Sequence, residues 1–204
     1  MAELTMTTFL TVDGVMQAPG GPDEDRSGDF PYGGWVFPHF EADLGKIMVE
    51  IFSKAEAFLL GRMTYDIFAA YWPRVTDPND LIAVKLNSLP KFVASRTQTA
   101  FSWTGTSPIR EVTKEIVDLK KRFSGEVQVH GSGGLDQTLI RNDLIDEYRL
   151  LIFPVILGIG KRLFGAGAVP TTLTLVKSGT TSKGIVVNVY RRGGSLKTGS
   201  FALD

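Results

Sequence analysis

Two short apolar runs and one segment that alternates polar and apolar, each followed by an apolar stripe of helical spacing, limit the fold of this 204-residue chain more than any other feature. Ala57-Phe58-Leu59-Leu60 precedes Tyr65, Phe68, Ala69 and Trp72. Lys91-Phe92-Val93-Ala94 precedes Val112, Ile116, Leu119 and Phe123, and Glu126 to His130 precedes Leu135, Leu139 and Ile140. Runs of four or five residues are too short for helices, and the stripes that follow recur at i, i+3 or i+4. Strands alternating with helices build a largely parallel sheet covered on both faces. Leu4 to Val12, rich in β-branched and aromatic residues, predicts a further strand that stops at the Asp13-Gly14 turn. Leu44, Ile47, Met48, Ile51 and Phe52 share one face of a helix from about Phe40 to Lys54, and a short helix is expected over Asp80 to Asn87. The stretch Met16 to Gly34, full of glycine and proline, can only be a long loop. In the last third, Glu147 to Phe153, Thr171 to Lys177 and Gly184 to Arg191 read as antiparallel strands closing the sheet edge. One α/β domain over residues 1–192 and a loosely held tail over 193–204 are expected.

Composition removes several classes of function. Lys and Arg number 22, as do Asp and Glu, so no positive excess exists to hold a nucleic-acid backbone. No apolar run approaches the roughly 20 residues of a membrane span. The start, MAELTMTTFL, lacks the features of a signal peptide, and the chain reads as cytoplasmic with no membrane partner. Cysteine is absent and only His39 and His130 are present, which removes disulfides, thiolate zinc sites and cysteine nucleophiles, and no metal is expected. A carboxylate metal site stays formally open.

In a parallel sheet, ligands bind beyond the carboxyl ends of the strands, where helix N-termini offer free N–H groups and partial positive charge. Three strand ends suit an anionic ligand. Gly61, Arg62, Met63 and Thr64 set a glycine, a guanidinium and a hydroxyl at the start of a helix. Gly131, Gly133, Gly134 and Leu135 let backbone approach a ligand closely, and Ser95 and Arg96 present a hydroxyl and a fork of donors suited to a phosphate. Each is also an ordinary turn when taken alone, and the glycines lack the G-x-G-x-x-G spacing of a dinucleotide fingerprint.

The succession Thr11-Val12-Asp13-Gly14, Leu59 to Tyr65, Val93 to Thr97 and Val129 to Leu135 resembles the dihydrofolate reductase superfamily. It is most similar to the branch containing the reductase domain of the bifunctional riboflavin-biosynthesis deaminase-reductase. Pro154 to Phe164 resembles that branch's Pro-Val-x-Leu-Gly-x-Gly-x-x-Leu-Phe run, and the likeness covers about residues 5–192. The resemblance implies a three-layer dihydrofolate reductase-like fold and NADPH as cofactor. It also implies hydride transfer to a pterin- or pyrimidine-like heterocycle and pairing into a homodimer. On it, Gly61, Arg62, Met63 and Thr64 hold the pyrophosphate region and Ser95 and Arg96 meet the 2′-phosphate. Gly131, Gly133, Gly134 and Leu135 run under the diphosphate and nicotinamide, and the 16–34 loop borders that ring as a lid.

The substrate side is less determined. Folate reduction in the superfamily uses a carboxylate of the first long helix; here Glu41, Asp43 and Glu50 stand there, and Glu41 is the catalytic candidate because it precedes Leu44 by three residues. Asp13 is the second candidate, being the Asp-Gly that lies by the substrate in the riboflavin branch, although Asp-Gly is equally a stock turn. Trp35 and Trp72 are candidates for stacking on a heterocycle. With no cysteine the chain performs at most the reductive half of the bifunctional enzyme. The same fold using a reduced deazaflavin, or binding a dinucleotide without turnover, is the alternative.

Overall fold

The computed structural model describes residues 1–131, 133–165 and 168–201. The elements are β1 (Glu3–Thr11), α1 (Ala42–Ser53), β2 (Ala55–Gly61), α2 (Arg62–Tyr71), α3 (Leu81–Ser88), β3 (Lys91–Ala94), β4 (Thr106–Ile109), α4 (Val112–Lys121), β5 (Glu126–His130), α5 (Gly133–Arg141), β6 (Glu147–Phe153), β7 (Thr171–Thr180) and β8 (Val186–Ser195). Each expected strand and helix is present within a few residues of its sequence pattern. The short helix α3 starts where Asp80 caps it, its carboxylate accepting the Ala83 N–H at 3.0 Å.

The eight strands form one sheet in the order β4-β3-β2-β5-β1-β6-β8-β7. Strands β4 to β6 in that order are parallel; β8 is antiparallel to β6, and β7 to β8. Two expectations change. Strand β6 extends the parallel part of the sheet, because the α5 crossover returns the chain to the same end before β6 begins. Strand β8 continues to Ser195, past the boundary drawn at 192. Strand β4 was not legible, since Thr-Ser-Pro-Ile at a sheet edge shows neither alternation nor a sustained apolar run.

Residues of β1, β2 and β5 alternate between two packed layers. Leu4, Met6, Leu59 and Val129 join Ile116 of α4 and Leu139 of α5 on one face. On the other, Phe58 and Leu60 meet Phe52 of α1, Tyr65 of α2 and Leu86 of α3, and towards β6 Leu151 and Phe153 meet Leu44 and Ile51 of α1. Burying strands on both faces leaves one open edge for chemistry, where Thr11, Gly61, Ala94, Ile109, His130 and Phe153 end the parallel strands.

Candidate active site

Two helix N-termini lie abreast at that edge. Strands β2 and β5 are neighbours, with Leu59 opposite Val129, so α2 and α5 begin side by side. Gly61 is the N-cap of α2 and contributes no side-chain cap, so the N–H groups of Arg62 and Met63 have no acceptor from the cap side chain. Gly131 has φ +71°, and a Cβ added there would stand 3.8 Å from Thr64 Oγ1, so the two turns touch. A Cβ added at Gly133 or Gly134 would meet nothing within 4 Å: the space over the first turn of α5 is open. Arg62 is exposed and only 3.6 Å from Asp66 on the same helix, a surface contact it can leave at little cost. Met63 is half exposed. Leu135 differs from the expectation: its side chain is in the core, so only its backbone can face a ligand.

The next strand end carries two guanidinium groups where one was expected. Ser95 is buried, with its hydroxyl accepting the Gln98 N–H at 3.1 Å and its carbonyl accepting from Arg110 Nη1 at 2.6 Å. Arg96 is exposed, and among the described residues neither Arg96 nor Arg110 has a carboxylate partner within 4 Å. Arg110, at the end of β4, was missed because the strand that positions it was missed. From β3 to β5 the edge thus offers two cations without a carboxylate partner among the described residues, then two helix N-termini. An open depression of about 650 Å³ bounded by Glu3, Asp143, Asp146, Arg191 and Arg192 lies at the opposite edge. Its arginines are spent on those carboxylates and on Glu147, so it offers no free cation.

The expected substrate-side residues do other work. The Asp13 carboxylate accepts the Thr11 hydroxyl at 2.6 Å and the N–H groups of Leu157 and Gly158 at 3.2 and 2.8 Å. The Thr11 bond first, and those backbone bonds with it, hold the carboxyl below the usual aspartate range. Asp13 therefore anchors the Pro154–Phe164 run. Gln17 anchors the same run by accepting the Lys161 N–H at 3.0 Å, while its amide donates to the carbonyls of Asp25 and Ser27. With Val15, Ala18 and Phe30 packed together, the 16–34 loop is fastened to this run in the described structure. Glu41 does not reach the apolar face of α1. It turns outward, accepting the Ser182 hydroxyl and, at 3.1 Å, the Lys183 N–H of the β7–β8 turn; the Ser182 bond leads in keeping it ionised. Trp35 is buried edge-on against Phe153, and its indole N–H is spent on the Gln17 carbonyl at 2.8 Å, so no ring face is offered. Trp72 packs on Phe68 and Tyr71, and its carbonyl accepts from Asn87 of α3, two residues short of the loop into β3. It lies at the wrong end of α2, away from the strand ends.

The α1 side of the central strands is polar beneath the surface. The Arg149 guanidinium makes two bonds to Glu126, at 2.6 and 2.8 Å, and one to Glu147 at 2.8 Å. Glu126 accepts from the Gln128 amide at 2.7 Å, and Gln128 Oε1 faces His130 Nε2 at 3.0 Å. Because the Gln128 amide nitrogen also donates to the Ile51 carbonyl, its oxygen is left as acceptor and His130 carries its proton on Nε2. Burial, and then the Arg149 charge, push the imidazole down to about 3, so His130 is neutral throughout the physiological range. Across the sheet, in the first turn of α5, Asp136 is wholly buried, and both its carboxyl oxygens lack a partner among the described residues. Burial pushes it up to about 8. Sequence reading passed over it, since an acidic residue in a first helical turn is normally a solvated dipole contact. Among the described residues no three Asp, Glu or His side chains group as metal ligands, and no helix is long and apolar enough to cross a membrane.

Comparison with known proteins gives this geometry a context. An uncharacterised protein of Bacillus subtilis, YyaP, is 31% identical over 187 residues, covering 91% of this chain and 92% of that one. A protein of Shewanella sp. PV-4 described as a riboflavin-biosynthesis protein superposes with a TM-score of 0.66 at 21% identity, covering 93% of this chain and 98% of that one. Dihydrofolate reductase of Enterococcus faecalis, solved with NADP(H), superposes with a TM-score of 0.60 at 14% identity, covering 94% and 96%. The fold is thus that of the dihydrofolate reductase-like proteins. The sequence profile of the RibD C-terminal domain matches residues 2–187, nearly the whole chain, and the chain belongs to that family of reductase domains.

Proposed function

We propose that the protein is an NADPH-dependent reductase of a small pterin- or pyrimidine-like heterocycle. The observation that carries this is the ordered edge of the sheet: two guanidinium groups at the ends of β3 and β4 with no carboxylate partner among the described residues, then two adjoining helix N-termini with open glycine turns. The residues fit such a cofactor. Arg96 and Arg110 suit a 2′-phosphate, because a dianion there needs fixed cations and among the described residues these two have no carboxylate partner. Gly61, Arg62, Thr64, Gly133 and Gly134 suit the diphosphate, which helix N-termini favour and which a larger side chain would hold away. The NADP(H) complex of the Enterococcus enzyme, on the same fold, supports the assignment.

When bound, the cofactor supplies a hydride from its dihydronicotinamide ring. The chain's own contribution is to hold that ring at the ends of β1 and β5 and to exclude water. The 16–34 loop, fastened through Gln17 to the run that Asp13 anchors, forms a wall at this edge. Pairing of two copies is supported by β7, an outer strand of ten residues with Leu175 and Val176 exposed and, among the described residues, no strand on its outer side. The test of the proposal is NADPH oxidation by the purified protein against a panel of oxidised and dihydro-pterins and ribosylated aminouracils. Turnover with at least one is expected; NADPH binding without turnover of any would leave a dinucleotide-binding protein.

A further inference from the structure

The buried polar chain on the α1 side of the sheet ends in an atom that the chain itself does not use. Glu126, Gln128 and His130 alternate with Val127 and Val129 along β5, so all three face α1, and Arg149 of β6 anchors the first of them. The Gln128 amide is fixed on both sides. Its nitrogen donates to the Ile51 carbonyl and to Glu126, each at 2.7 Å, and its oxygen meets His130 Nε2 at 3.0 Å. Phe52 of α1 stacks on the imidazole, with centroids 4.3 Å and planes 14° apart, and Phe58 of β2 is tilted beside it. Both the tautomer and the rotation of the ring are therefore set from beneath.

The two nitrogens of an imidazole point in nearly opposite directions, and in the neutral ring one donates while the other accepts. Because Nε2 is directed at Gln128, two residues back along the strand, Nδ1 is directed towards the carboxyl end of β5, where the backbone turns off at Gly131 with φ +71°. Nδ1 has no hydrogen-bond partner among the described residues. Nor is it one of the polar atoms sealed from water without a partner, which on β1 include the hydroxyls of Thr7 and Thr8; His130 as a whole keeps 8% of its surface exposed. Strand β5 also stops short of its neighbour: Thr7 is the register partner of His130, and β1 runs on to Thr11. The charged groups around the chain are Arg149 and Glu147 of β6, Glu126 of β5 and Lys54 after α1, and burial with the Arg149 charge keeps the imidazole neutral. Asp13 and Glu41, the other acceptors considered for a substrate, are engaged elsewhere.

We propose that His130 is a specificity-determining residue of the reductase, its Nδ1 serving as the fixed acceptor for an N–H group of the heterocycle, a lactam N–H or a ring amine. This rests on the reading of the protein as a reductase of pterin- or pyrimidine-like rings. A ring laid along the β1 overhang has Nδ1 beneath it. One that carries such a donor completes the polar chain that begins at Arg149, whereas one methylated on nitrogen leaves Nδ1 unsatisfied and presses a methyl group against it.

Nitrogen-15 NMR of the cofactor-free protein should show His130 as an Nε2–H imidazole from pH 6 to pH 8. A proton on Nδ1, or a charged ring, overturns the proposal whatever the cofactor does. Lumazine, which has two lactam N–H groups, and 1,3-dimethyllumazine, which has none, are then titrated at pH 6.5 into the protein saturated with NADP⁺. Lumazine should bind about tenfold more tightly and shift the Nδ1 signal. The preference should vanish in His130→Phe, which keeps the stack on Phe52 without an acceptor, and return in part in His130→Asn, whose carbonyl oxygen takes the place of Nδ1. A preference undiminished in His130→Phe, or an Nδ1 signal unmoved by lumazine, overturns the proposal and leaves the reductase reading intact. Failure of lumazine to bind while NADP⁺ binds overturns the proposal together with the pteridine-like substrate class. Failure of NADP⁺ and NADPH to bind overturns the reductase reading as well.

Discussion

Arg149 is the perturbation with the largest consequence for stability that the structure allows to be worked out. Its side chain is 5% exposed and those of Glu126 and Glu147 are 13% and 8% exposed, so three charges share one nearly dry site. Replacing Arg149 with Met fills the space but leaves Glu126 buried without a counterion, while Glu147 keeps only Arg191. Breaking a buried pair in this way costs about 3–5 kcal/mol, because the orphaned charge keeps its desolvation penalty and loses its counterion. At this chain length that corresponds to a fall of roughly 10 °C in Tm. The pH dependence has a definite sign. Burial alone would raise the Glu126 carboxyl, but the Arg149 bonds override it and hold the group below 4.5. A depressed carboxyl contributes stability above its unfolded pKa and loses it as pH falls through the folded one. Without Arg149 that contribution is gone, so the gap between wild type and variant should narrow as pH drops below about 4.5. Urea unfolding at pH 7 and pH 4, with the Arg149→Met, Glu126→Gln double variant to close the cycle, measures both. A loss under 1 kcal/mol at pH 7, or a gap that widens in acid, would refute the reasoning.

Gly160→Ala should cost about 2–5 kcal/mol in urea unfolding, since φ is +117° and the new Cβ would lie 2.7 Å from Val15 and 2.8 Å from Phe30. Gly133→Ala, by contrast, meets nothing within 4 Å and should leave stability unchanged or slightly raised, while weakening NADPH binding roughly tenfold in a fluorescence titration if the diphosphate lies on that turn. Asp13→Asn exchanges an acceptor oxygen for a donor opposite the Leu157 or Gly158 N–H, and should lower stability by about 1–3 kcal/mol. Its signature in hydrogen exchange is faster exchange confined to residues 154–164 and the 16–34 loop.

The strand–helix alternation was readable because β2 and β3 bury short apolar runs and α1 and α4 keep clean apolar faces, patterns that local sequence records directly. Glu126-Val127-Gln128-Val129-His130 shows the limit. Its polar positions suggest a wet face, yet α1 covers that face and turns the polar residues into a buried network with Arg149, a partner 23 residues from Glu126. Such pairings depend on tertiary placement and leave no local pattern. Of the candidate site, the glycine turns, Arg62, Ser95 and Arg96 share one edge because strand ends and helix starts are local features. Asp13, Glu41, Trp35 and Trp72 have the chemical capacity for such roles, and distant segments engage that capacity. Arg110 and Asp136 were overlooked for the converse reason: an unremarkable edge strand positions one, and depth of burial gives the other its character.

The central claim is that the β3–β2–β5 edge holds a phosphorylated nicotinamide dinucleotide, and calorimetric titration of the wild type and Arg96→Ala with NADPH and NADH tests it most directly. The account predicts that the wild type prefers NADPH and that the variant loses about tenfold or more in NADPH affinity with little change for NADH. Equal losses for both dinucleotides, or no binding of either to the wild type, would contradict it.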